Sequence, residues 1–222
     1  MAKRQALVIG LGQFGMSLAR ALSERGVEVL AVDSHLEAVQ TAASFCAEAI
    51  AFDATDEEAL LQVAPGKRDL CVCAIGTESR EKAIIVTALL RQMGAPRIVS
   101  RASDDVTERI LKLVGAHEVV NPERAFGERL ATRLAHEGLL DQVPLGSDLV
   151  ITELHPPASI VGRTLIELKL PSRYDVTVVA TRRTVNGEGR VMLPDPTDPI
   201  RNDDILVIVA RSGAIQTFLG KS

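Results

Sequence analysis

The chain has 222 residues, 46% of them hydrophobic and 24% charged, with a formal net charge of -4 and no block rich in lysine and arginine. That is enough apolar material for one large domain or two small ones. The charge argues against a nucleic-acid footprint, and no apolar run approaches the roughly 20 residues that cross a bilayer.

At the N-terminus the chain leads straight into an apolar strand, so no secretory leader is expected. From there to residue 121, short apolar runs alternate with amphipathic stretches; the runs are 6–9, 27–32, 49–52, 70–75, 97–100 and 118–120. Unbroken apolar runs with β-branched residues suit strands buried on both faces of a parallel sheet. The stretches between them read as helices. Leu18 and Leu22 line one face of the first. Thr55-Asp56-Glu57-Glu58 reads as a capping box before another. Asn121-Pro122 supplies an N-cap and a first-turn proline for a helix running to Gly138. Strand and helix alternating six times predict a doubly wound Rossmann sheet.

After Gly138 the pattern changes. Residues 139–147, with Pro144 and Gly146, read as a linker. Strands are expected at 149–154, 176–181 and 204–210, short helices at 161–168 and 213–219, and a turn at Asn186-Gly187-Glu188-Gly189 joining two strands. The expected organisation is a Rossmann α/β domain over 1–138, a linker over 139–147 and a small α+β domain over 148–222.

The strongest chemical signal is Gly10-Leu11-Gly12-Gln13-Phe14-Gly15, which follows a strand at once and opens a helix. Gly10 permits a tight turn, Gly12 lets the backbone approach a pyrophosphate, and Gly15 lets helix and strand pack closely. The helix N-terminus then offers unpaired N–H groups to an anion. Asp33, with Ser34 beside it, ends the second strand 21 residues after Gly12. A carboxylate there accepts both ribose hydroxyls and disfavours a 2′-phosphate. Asp53-Ala54-Thr55 follows the third strand, where it would touch the adenine. Ala74-Ile75-Gly76 follows the fourth, where small residues let ribose and phosphates lie close. The plainer alternatives are a glycine turn without a ligand and ordinary turn chemistry at the other two loops.

An acid or base suited to hydride chemistry is not apparent. Tyr174 is the single tyrosine and there is no Tyr-x-x-x-Lys. His35, His117, His136 and His155 read as surface or loop residues, and no serine sits in a nucleophile elbow. Cys46, Cys71 and Cys73 form no metal or disulfide pattern and read as small buried hydrophobes in a reducing compartment.

The order of Gly10 to Gly15 with Phe14, Val32-Asp33, Asp53-Ala54-Thr55, Ala74-Ile75-Gly76, Arg101, Asn121-Pro122-Glu123 and the closing Asp203-Asp204-Ile205-Leu206-Val207 resembles the RCK (regulator of K⁺ conductance) regulatory subunits of bacterial Trk/Ktr potassium-uptake systems. The resemblance covers essentially the whole chain. It implies an RCK N-lobe and a small C-lobe, and homodimers assembled into an octameric ring. It places that ring in the cytoplasm, peripheral at the inner face of the cell membrane, docked on a membrane potassium-conducting subunit. The implied ligands are ATP or ADP, with NAD(H) as a further candidate. Arg101 resembles a basic family residue near the phosphates. Glu123 resembles a carboxylate at the dimer interface, near the phosphates or a bound divalent cation. A solvated strand-end charge and a favourable first-turn carboxylate are the alternatives for these two. Gln13 departs from the arginine that many nucleotide-gated members carry and resembles NAD(H)-associated Trk-type members, so the choice among ATP, ADP and NAD stays open. Some relatives bind cyclic di-AMP in the C-lobe; residues 165–171 suit that role or the core equally.

The leading function is thus a non-enzymatic sensor that gates potassium uptake. The alternative is a small NAD-dependent oxidoreductase. A Rossmann-type redox repressor would need a winged helix before the glycine motif, and only four residues precede Gln5.

Overall fold

The computed structural model describes residues 3–76, 79–146, 148–185 and 188–220. They form two compact units, Met1–Ala125 and Phe126–Ser222.

The first unit runs β1 (Gln5–Ile9), α1 (Gln13–Glu24), β2 (Glu28–Asp33), α2 (Leu36–Ala43), β3 (Glu48–Ala51), α3 (Glu57–Gln62), β4 (Leu70–Cys73), α4 (Arg80–Gln92), β5 (Ile98–Arg101), α5 (Asp105–Val114) and β6 (Glu118–Val120). The strands make one parallel sheet in the order β3-β2-β1-β4-β5-β6. β1 pairs with β2 from Gln5↔Glu28 to Ile9↔Val32, and with β4 from Ala6↔Leu70 to Ile9↔Cys73. Successive side chains point to opposite faces. Leu7, Ile9, Leu30, Val32, Cys71 and Cys73 therefore pack with Leu60, Leu90, Ile98 and Leu111 on one side. Val8, Val29, Ala31 and Val72 pack with Ala19, Val39 and Ala42 on the other. Two helical layers explain why these strands are apolar without alternation. Strand order reverses between β1 and β4, which opens a crevice at their C-terminal ends.

Two helix boundaries differ from expectation. α3 is capped by Asp56, whose Oδ1 accepts the N–H groups of Glu58 and Ala59 at 3.0 and 3.2 Å. Thr55 is not the cap, because its hydroxyl is drawn back to donate to Asp53 Oδ1 at 2.8 Å. The helix opened by Asn121-Pro122 is α6 (Pro122–Ala135), with Asn121 Oδ1 accepting from the Arg124 N–H at 3.0 Å. It stops before 138, where the Leu139 N–H turns back to the His136 carbonyl at 3.2 Å and Gly138 takes φ +81°.

In the second unit follow β7 (Leu139–Pro144), β8 (Leu149–Leu154), α7 (Leu165–Leu168), α8 (Leu170–Tyr174), β9 (Val176–Val185), β10 (Glu188–Met192), β11 (Ile205–Arg211) and α9 (Ser212–Gly220). An antiparallel sheet has the order β10-β9-β11-β8-β7. The expected linker over 139–147 is corrected here: β7 is an edge strand paired with β8, Leu139 opposite Leu154 and Pro144 opposite Val150. Proline is tolerated because the strand borders only one neighbour. β9 and β10 form the expected hairpin, with Val185 opposite Glu188. Of the expected turn, Asn186 and Gly187 lie outside the described residues, as does Ser147 of the expected linker, while Glu188 and Gly189 open β10 instead. The sheet buries one face, where Leu154, Leu206 and Ile208 meet Leu168, Leu170, Ile215 and Phe218.

Asp204 brings a charge into this unit. Its side chain is fully buried and takes two hydrogen bonds from Arg183, Nε to Oδ1 at 2.6 Å and a terminal nitrogen to Oδ2 at 2.8 Å. The Arg201 N–H adds a third at 2.9 Å. Burial works against the charge, but the Arg183 guanidinium and the Arg201 N–H prevail and hold the carboxyl below its usual range. Among the described residues no helix is long and apolar enough to cross a membrane.

Candidate nucleotide site

Where β1 ends, the backbone must turn out of the sheet and into α1. Gly10 does this at φ +92°, a conformation that favours glycine, and a Cβ on it would fall 2.9 Å from the Ile75 nitrogen. Gly15 is held by space: a Cβ there would lie 1.8 Å from the Gly10 carbonyl oxygen. Gly12 is different. It has ordinary angles, φ -64° and ψ -174°, and a Cβ built on it meets nothing within 4 Å. Its carbonyl accepts the Met16 N–H at 2.9 Å, so the earlier N–H groups of α1 carry the unpaired donors of a helix start.

Leu11 is a core side chain, and its N–H donates to Asp33 Oδ2 at 2.6 Å. Asp33 Oδ1 accepts the His35 N–H at 2.8 Å and lies 2.9 Å from His35 Nδ1. Burial raises the Asp33 pKa, yet the Leu11 and His35 hydrogen bonds outweigh it and the net direction is down. The carboxylate is ionised and fixed in orientation, with lone pairs to spare for a diol.

Beyond β3, Asp53 Oδ1 accepts the N–H and hydroxyl of Thr55 at 3.1 and 2.8 Å, while Oδ2 faces Lys82 Nζ at 2.8 Å. These partners, Lys82 first, lower its pKa to about 2. Beyond β4, the Ala74 N–H donates to the Ile9 carbonyl at 2.7 Å and brings Ile75 and Gly76 beside the glycine loop.

These four strand ends, of β1, β2, β3 and β4, enclose an open cleft of about 480 Å³. Of the residues singled out from sequence, Gly10, Gly12, Asp33, Ser34, Asp53, Ala54, Ala74, Ile75 and Gly76 line it. Leu11, Gln13, Phe14, Gly15, Thr55, Arg101 and Glu123 do not. Gln13 is exposed on the first turn of α1. Phe14, Arg101 and Glu123 form a neighbouring group, with the Arg101 guanidinium 5.8 Å from the Phe14 ring centre and ion-paired to Glu123. Gly76 joins that group to the cleft: a Cβ on it would lie 3.6 Å from an Arg101 terminal nitrogen.

The cleft also has walls that sequence reasoning missed, namely Ile9, His35, Phe52, Ser79 and Lys82. Ile9 and Phe52 looked like the last residues of apolar strands. His35 is indeed exposed, as expected, but its ring is tied to Asp33. Lys82 had no signal, since a lone lysine in a first helical turn reads as solvated.

Chemically the cleft offers helix-terminal donors for an anion, a fixed carboxylate for a diol, and the apolar surfaces of Ile9, Phe52 and Ile75 for a flat ring. Among the described residues no three His, Cys, Asp or Glu side chains come together to hold a metal ion.

Residues 6–122 match the TrkA-N domain family and residues 149–220 the TrkA-C domain family. The chain is 32% identical over 216 residues to Ktr system potassium uptake protein C of Bacillus subtilis (strain 168), across 97% of this chain and 96% of that protein. Its fold matches the GsuK RCK domain with a TM-score of 0.68 at 16% identity, over 99% of this chain and 48% of that one. It also matches the GsuK channel bound to NAD with a TM-score of 0.68 at 17% identity, over 98% of this chain and 39% of that one. The chain thus spans half or less of those solved chains, and the likeness to them is one of fold.

Proposed function

The chain belongs to the Ktr and Trk family of potassium-uptake proteins, and from that premise we propose that it is a nucleotide-sensing regulatory subunit of a membrane potassium-conducting partner, and not an enzyme. The observation that carries the reading is Gly12. The fold does not need a glycine there, and the space its missing side chain leaves is the space a pyrophosphate fills. Asp33 stands behind it for the ribose, and Phe52 and Ile75 flank a base.

The ligand class is an adenine nucleotide, ATP or ADP, with NAD(H) as the other candidate; the related folds of GsuK bound to NAD and of GsuK bound to ADP support keeping both. A divalent cation at Glu123 would lean on the phosphates, since one carboxylate already paired with Arg101 is too little to hold it. A cyclic di-AMP site on the second unit would use exposed residues such as Ile166 and Pro171, because Leu168 and Leu170 are taken up by the core. The assembly we propose is a homodimer built into an octameric ring at the cytoplasmic face of the membrane. Nucleotides that differ in affinity for two dimer geometries shift the balance between them, and the membrane partner responds to that balance.

The oxidoreductase reading is the less favoured one: the titratable side chains on the described cleft walls are tied to one another, His35 to Asp33 and Lys82 to Asp53. Thermal-shift titration against ATP, ADP, NAD, NADH and cyclic di-AMP tests the proposal, because a ligand at 100 times its Kd stabilises the folded state by about 2.7 kcal/mol. No shift with any adenine nucleotide sinks it; turnover of NADH with a carbonyl substrate would move the chain to the enzyme class.

A further inference from the structure

Lys82 is held in an unusual place for a surface lysine. It lines the cleft, and its ammonium lies 2.8 Å from Asp53 Oδ2, with each side chain about half exposed. Asp53 cannot swing away, because Thr55 holds its other oxygen through two hydrogen bonds. The described walls therefore carry two carboxylates, Asp33 and Asp53, against one ammonium. The nearby guanidinium groups are engaged with carboxylates outside the cleft: Arg80 lies 3.1 Å from Asp104, and Arg101 pairs with Glu123. Among the described side chains of the walls, an incoming polyphosphate thus meets an excess of negative charge that Lys82 reduces.

We propose that Lys82 is a positioning residue for nucleotide binding, which cancels the charge of Asp53 within the cleft and so admits an anionic ligand without touching its phosphates. The inference rests on the nucleotide reading of the cleft. Asp53 stays ionised throughout the physiological range, so the need for a counter-charge is permanent. Asp53 also shapes the loop between β3 and α3 through its turn with Thr55.

The test is a double-mutant cycle read by titration calorimetry with AMP, ADP and ATP. Lys82→Met is expected to weaken ADP binding about fivefold at low salt, the size of a partly screened charge interaction near a protein surface. The loss should grow from AMP to ATP and shrink with added salt. Lys82→Arg should bind as wild type. Asp53→Asn alone should tighten ADP binding by a factor similar to the Lys82→Met loss, and the Lys82→Met/Asp53→Asn double variant, neutral at both positions as the wild-type pair is in sum, should bind within about twofold of wild type. Both side chains are exposed, and thermal unfolding without nucleotide should be unchanged in every variant. A double variant that binds ADP much more weakly than wild type would make Lys82 a direct phosphate contact and overturn the proposal. Equal losses for AMP and ATP, or none, would overturn it as well. If wild-type protein binds no ADP, the nucleotide reading itself falls and this inference with it; wild-type binding with the wrong mutational pattern removes the inference alone.

Discussion

Gly12 and Gly15 stand three positions apart in one loop, yet they answer to different demands. At Gly15 a methyl group would drive into the Gly10 carbonyl, which is backbone and cannot give. Gly15→Ala should therefore destabilise the first unit by about 3 kcal/mol, at the upper end for overpacking, read as a lowered denaturant midpoint. Gly12→Asp should leave that midpoint within about 0.5 kcal/mol, as surface changes do, and abolish binding of every adenine nucleotide in calorimetry. Unchanged affinity would mean the phosphates lie elsewhere. In the second unit the sensitive residue is Asp204. Its folded pKa is depressed, so the unfolded chain binds its proton first as pH falls. Its contribution is complete above the unfolded carboxyl pKa, about 4, and is lost as pH falls through the lower folded value. Asp204→Asn should cost about 3 kcal/mol at neutral pH by leaving Arg183 short of a buried partner. The variant's acid unfolding curve should also be flatter below about pH 4; an unchanged curve would show that other carboxylates govern acid stability.

At the scale of elements, α5 asks for a partner. Leu111 and Thr107 face the core, whereas Val106 and Leu113 are 55% and 85% exposed, with half-buried Ile110 between them. At 3.6 residues per turn these three span about 60° of the helix surface, a separate apolar stripe. Self-association through this stripe would cover it, and Leu113→Asp should weaken the dimer at least about tenfold, read by sedimentation velocity. A wild-type chain that stays monomeric at every concentration would exclude the idea. The sheet of the first unit was legible because strands buried on both faces need unbroken apolar runs, and the glycine loop because its spacing has few other uses. β7 was hidden for the converse reason. It is an edge strand carrying Asp141, Gln142 and Pro144, a composition that only its pairing with β8 makes a strand. Lys82 was illegible because its role depends on a carboxylate 29 residues away, across a fold.

For the whole molecule the question is how an occupied cleft reaches a potassium-conducting partner. We propose Glu123 as the link within the first unit. It sits in the first turn of α6, paired with Arg101, which adjoins the cleft at Gly76. Glu123→Gln should keep ADP and ATP affinity within about tenfold, or 1.4 kcal/mol, while reducing the difference between the two nucleotides in potassium flux through liposomes containing the partner. A mutant that responds to both nucleotides as wild type does would reduce Glu123 to a helix-start residue.

The open space at Gly12 also has a consequence for descent. A chain that kept this fold but ceased to use a nucleotide would still need Gly10 and Gly15 to fold, whereas nothing in its own packing would preserve Gly12. The first inherited trace of a lost ligand would be a side chain at that one position. Selection for folding and selection for sensing can thus be read separately from two glycines of a single loop.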